Sequence, residues 1–144
     1  MQRIKITNDF YLDEFIHPNI YNRFKSNSRL YINQTLVELV QLIRDNYGEA
    51  ININTWARGG NRINSGVRDY FKPLGKLNRS RHYYGLCADL TTADIKKLQK
   101  HVDDNKDYYY DFGLRVIEDF RYTKTWLHIS VENTGLETVK FIKP

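Results

Sequence analysis

The sequence predicts an α+β domain with a mainly antiparallel sheet flanked by helices, and three observations carry that prediction. Residues 33–47 repeat apolar side chains at helical spacing. Several short stretches alternate apolar and polar residues, as half-buried strands do. Helical and strand signals segregate along the chain, which separates α+β from a regular βαβ pattern.

The elements follow in order. Asn8 and Asp9 precede Phe10-Tyr11-Leu12-Asp13-Glu14-Phe15, which reads as a capped turn or short helix seating Phe10 and Phe15. In 33–47, Leu36, Leu39, Val40, Leu42 and Ile43 form one face, and Gly48 is a natural stop. Residues 50–55 alternate as a strand. Residues 59–81 form a long polar loop with Gly59-Gly60, Asn61, Asn64, Ser65-Gly66 and Pro73, and such loops are usually functional or mobile. Thr91 or Thr92 caps a helix over about 93–101, with Asp94 suiting its dipole. Strands are expected at 114–118 and 126–131, and a last one at 138–142. With 144 residues, no repeat, no low-complexity tract and no Pro/Gly linker, a single domain over 1–144 is expected.

Composition narrows the function classes. A net charge of +5 favours an anionic partner such as a cell-wall polymer or a nucleic acid. No Lys/Arg run or nucleic-acid motif accompanies it, so nucleic acid is not an expected partner. The 11 Tyr against 7 Phe suit a half-wet cleft, and compositional drift explains them equally well. One cysteine, Cys87, excludes an intramolecular disulfide framework. The start, Met1-Gln2-Arg3-Ile4-Lys5-Ile6-Thr7, lacks an apolar h-region, and no apolar run reaches bilayer length. The expected product is soluble, made in the cytoplasm without a signal peptide, and has no membrane span.

Of four histidines, His101 reads as a solvated group on its helix and His17, before Pro18, as structural. His82 and His128 differ, because each stands at or in a predicted strand beside aromatic residues. Strand parity sends Leu86, Ala88 and Leu90 to the core and leaves Cys87 and Asp89 on the opposite face. In Trp126-Leu127-His128-Ile129-Ser130-Val131 the same parity puts His128 with Trp126 and Ser130. Gly85 lets the chain bend, so that His82 can join Asp89 and His128. Two imidazoles and one carboxylate with an open fourth position make a catalytic type of zinc site. Cys87 could approach that metal, although packing is the usual role of a free cysteine.

The string Ser80-x-His82-x-x-Gly85-x-x-Ala88-Asp89, followed by Trp126-x-His128, resembles the zinc D-alanyl-D-alanine peptidase family. That family includes carboxypeptidases, dipeptidases and phage endolysin endopeptidases, and shares its fold with the hedgehog signalling domain. The resemblance runs in order through most of the chain, including His82-Tyr83-Tyr84-Gly85 and Asp89-Leu90-Thr91-Thr92. It implies a hedgehog/DD-peptidase-like fold, one zinc per chain held by His82, Asp89 and His128, and a peptidoglycan peptide as substrate. Where the family usually has Ser-Gly-Tyr-Arg stands Thr55-Trp56-Ala57-Arg58, so Arg58 maps onto its substrate-carboxylate arginine. Ser80, Trp126 and Tyr84 are further substrate-binding candidates. Trp126, Tyr83 and Tyr84 read as an aromatic wall or as rim packing.

The pattern breaks at the general base. Many relatives have Glu three residues before the last histidine, where Thr125 stands, and some have His five before, where Thr123 stands. If Leu114 and Val116 face the core, Arg115, Ile117 and Asp119 face the cleft. Asp119 is then the first base candidate, Glu118 the second and Glu132 the third, and the alternative for all is a solvated hairpin charge. Two functions follow. The first is a zinc peptidase cleaving stem peptides, encoded by a phage or prophage and acting at the wall through lysis or as a virion component. The second is a catalytically impaired member of the same fold, serving as a wall-binding or virion structural part among other virion proteins. The missing Glu and the non-acidic Ser130 motivate the second.

Overall fold

The computed structural model describes residues 2–70 and 80–144. The stretch 71–79 of the expected loop, Pro73 included, lies outside the described residues. Among the described residues are α1 (Leu12–Phe15), α2 (Pro18–Phe24), α3 (Gln34–Tyr47), α4 (Ile95–Asp104) and α5 (Lys106–Asp111). The strands are β1 (Cys87–Leu90), β2 (Val116–Glu118), β3 (Leu127–Ser130) and β4 (Lys140–Ile142), and short 3-10 turns fill several connections. The class is α+β.

The four strands lie in the order β1-β3-β2-β4. β3 pairs antiparallel with β1 and β2, whereas β4 runs parallel to β2. The sheet is therefore mixed, which corrects the expected mainly antiparallel one. Alternation within a strand reports which face a side chain takes and carries no information on the direction of its neighbour.

The helices follow from their caps. Asn33 Oδ1 accepts from the Thr35 N–H at 2.8 Å, and α3 ends on Gly48 at φ 78°. Between them Leu36, Val37, Leu39, Val40 and Ile43 are buried against the core. His17 Nδ1 accepts from the Asn19 N–H at 3.1 Å and Pro18 takes the first helical position, so His17 is the cap of α2. Asp94, not Thr91 or Thr92, caps α4, accepting from the Lys97 N–H at 3.1 Å. Both threonines are engaged elsewhere: Thr91 bridges to Asn52, and Thr92 Oγ1 donates to the Ala50 carbonyl at 2.7 Å.

Two expectations are corrected here. Residues 50–55 form a single bridge, Asn52 to Thr91, and no strand. Asn54 is buried, its Nδ2 donating to the Ile16 carbonyl and its Oδ1 accepting from the Ser65 N–H, so this segment ties loops together instead of joining a ladder. His101 is not a solvated group: its Nε2 lies 2.8 Å from the Tyr109 hydroxyl, and burial lowers its pKa. No helix of the described residues is long and apolar enough to cross a membrane.

Candidate metal centre

The sheet register builds the centre. Asp89 of β1 stands opposite His128 of β3. β2 pairs Ile117 with Ile129, so Glu118, the next residue, falls beside His128 on its other side. Asp89, His128 and Glu118 thus form one row across three strands, on the face opposite the buried Ala88, Ile129 and Ile117. The neighbouring row holds Cys87, Ser130 and Val116.

His82 reaches this floor from a 3-10 turn, Arg81–Tyr84, which ends on Gly85 at φ 67°. A Cβ at Gly85 would also meet Ile32 Cα at 2.8 Å, so both the conformation and the space demand glycine. His82 Nδ1 is 2.8 Å from the Gly66 carbonyl. That contact makes Nδ1 the donor and turns Nε2 to Asp89, whose Oδ2 lies 3.4 Å away. The other oxygen, Asp89 Oδ1, is 2.7 Å from His128 Nδ1. Burial opposes ionisation of Asp89, but hydrogen bonds from His128 and His82 outweigh it and hold the carboxyl well below the usual carboxylate range.

The segment 65–68 supports the set from behind. Its Ser65 carbonyl accepts from the Asp89 N–H at 2.7 Å, Gly66 orients His82, and the Arg68 N–H bonds the His82 carbonyl at 3.3 Å. Arg68 Nη2 then stands 3.9 Å from Asp89 Oδ2. The centre opens into a cleft of about 560 Å³, lined among others by Arg68, Ser80, Glu118, Trp126 and Glu132.

Each site residue expected from the sequence has a definite place. His82, Asp89 and His128 come together, and Ser80 and Trp126 line the cleft. Glu118 lies on the floor, its Oε1 3.8 Å from His128 Nδ1. Asp119 does not reach it. Both its carboxylate oxygens bond the Arg121 guanidinium on the exposed hairpin, and those hydrogen bonds, first of all from the side chain, pull its pKa to about 2. The parity assigned to residues 114–119 is therefore corrected by one residue. Leu114, Val116 and Ile117 are all buried, so apolar character marks both faces and alternation from Leu114 misleads. Glu132 lines the cleft but pairs with Arg81. Thr123 is fully buried under Gln99, whose amide donates to the Thr123 and Trp126 carbonyls.

Arg58 lies elsewhere: it contacts Glu14 at 3.3 Å and Asn52 at 2.8 Å, in a separate small pocket. Tyr84 is 64 % exposed and is not among the residues lining the cleft. Two arginines line the cleft: Arg81 pairs with Glu132, and Arg68 stands beside Asp89. A signal for Arg68 was present, since Ser65-Gly66-Val67-Arg68 fits Ser-Gly-Tyr-Arg more closely than Thr55-Trp56-Ala57-Arg58 does.

A buried group of His82, Cys87 and His128 could hold a metal ion, one donor atom of each lying within 4.8 Å of the others. Cys87 is wholly enclosed, and burial raises its thiol pKa. With Asp89 beside the same imidazoles, the donor set also fits zinc. The 3.4 Å between His82 Nε2 and Asp89 Oδ2 matches the edge of a tetrahedron with bonds of about 2.1 Å. No family model, curated protein or solved structure matches the chain.

Proposed function

We propose that the chain is a zinc-dependent peptidase that cleaves a peptide bond in peptidoglycan stem peptides. The row Asp89–His128–Glu118 carries this reading, because it sets two metal donors and a carboxylate side by side under His82. His82, Asp89 and His128 would hold the zinc ion, whose chemistry there would be Lewis acidity toward the scissile carbonyl. Glu118 takes the proton of the attacking water on a carboxylate oxygen and passes it to the departing amine nitrogen as the C–N bond breaks. Arg68 pairs with a substrate carboxylate, a task its planar fork suits, and Trp126 forms an apolar wall. A phage or prophage lysis protein, or a virion component, is the setting this substrate suggests.

The test is metal analysis followed by digestion of purified sacculi. One zinc per chain is expected, lost in His82→Ala, together with release of cleaved stem peptides. Uncut peptides with zinc fully bound would overturn the reading, and sacculus binding without release would favour a wall-binding module instead.

The two arginines separate in kinetics. Arg68→Ala is expected to raise KM roughly 10–100-fold, the loss of one charge-assisted pair. Arg58→Ala removes only its contacts to Glu14 and Asn52, so KM should stay at the wild-type value. The reverse pattern in steady-state assays would return the carboxylate site to Arg58.

A further inference from the structure

The proposed function takes Asp89 as third donor and gives Cys87 no task. Cys87 nevertheless stands on the same face of β1 as Asp89, two residues earlier, opposite Ser130 of β3. Its side chain is wholly buried, and Sγ lies within 4.8 Å of a ligand nitrogen on both His82 and His128. In a tetrahedral site with metal–sulfur and metal–nitrogen bonds near 2.3 and 2.1 Å, the S–N edge is about 3.6 Å. A closure of roughly 1 Å therefore brings the sulfur into coordination.

We infer that the centre has two overlapping donor sets sharing His82 and His128: Asp89 completes one for harder ions, and Cys87 completes another for soft, thiophilic ions of the Cd(II) class. The donors differ in kind, since an oxygen suits hard cations and a thiolate soft ones, while zinc accepts both. When the soft ion binds, the Sγ–metal bond forms and the thiol proton goes to solvent, with no change of oxidation state. Of the three donors, Cys87 alone stands in the row of Ser130 and Val116, next to the row of Asp89, His128 and Glu118.

This inference rests on the metal centre of the proposed function and is independent of its peptidase chemistry. The test titrates Cd(II) into the whole metal-free protein and follows ultraviolet thiolate-to-metal charge transfer. The chain has one cysteine, so any such band belongs to Cys87. The band is expected to saturate at one equivalent, survive in Asp89→Asn and vanish in Cys87→Ser. Cd(II) affinity in Cys87→Ser should fall by more than the roughly 10–100-fold that loss of an outer-shell partner costs. One equivalent of Cd(II) bound by the wild type without the band would overturn the inference, and this result needs no variant to fold. Stem-peptide cleavage with zinc but no cadmium band would sink the inference and leave the function standing. The band without cleavage by the zinc form would do the reverse.

Discussion

Glu118→Gln is expected to lower turnover by about 10²–10⁴-fold while the zinc content stays at one per chain. The amide keeps the shape of the side chain and removes its capacity to take a proton. Glu118 stands next to His128 in the register, with Oε1 3.8 Å from Nδ1, close enough to serve a water held at the centre. Asp119→Asn is the matched control and should leave turnover unchanged. Asp119 is bound to Arg121 through both oxygens, and the side-chain hydrogen bond from Arg121 is the first cause of its pKa of about 2. A carboxylate so stabilised has little affinity for a proton, and it sits on the hairpin outside the cleft lining. Full turnover in Glu118→Gln with zinc bound would remove the base from the mechanism and favour the wall-binding reading.

The difference between these neighbouring acids shows where sequence reasoning reaches its limit. For β1 and β3 parity was legible, because Leu90, Leu127 and Ile129 occupy alternate positions on one buried face. It failed along 114–119 because Val116 is buried on the cleft side and Ile117 on the other, so apolar side chains mark both faces. The parallel pairing of β4 with β2 depends on a distant contact that no local pattern encodes. The start of α2 was readable in principle, since Pro18 at the first helical position after His17 is a cap signature. The supports of His82 and Asp89 were hidden for a different reason. They are the main-chain carbonyls of Gly66 and Ser65, which every residue carries, so no side-chain identity announces them. Only the glycine left a trace.

That glycine carries the second large effect. Gly66→Ala is expected to weaken metal binding by roughly 10–100-fold, as loss of outer-shell orientation does, and to cost about 1–3 kcal/mol of stability through overpacking. A Cβ at position 66 would overlap the Phe15 carbonyl oxygen and stand 2.6 Å from its carbon and 2.9 Å from Phe15 Cα. These are backbone atoms, pinned by the Val67 N–H bond to the Phe15 carbonyl at 2.7 Å and the His17 N–H bond to the Val67 carbonyl at 3.0 Å. The strain has to be relieved by moving 65–68 off the core. That movement lengthens the Gly66 carbonyl contact that fixes the His82 tautomer and the Ser65 carbonyl contact on the Asp89 N–H. Two of the three proposed metal donors then lose their support together. Gly48→Ala separates the two effects, because Gly48 at φ 78° has nothing within 4 Å of an added Cβ. It should cost about 1–2 kcal/mol for the left-handed backbone and leave metal affinity untouched. Denaturant melts and zinc titrations on both variants decide the matter: equal affinity in Gly66→Ala and wild type would mean that His82 is oriented by something other than this carbonyl.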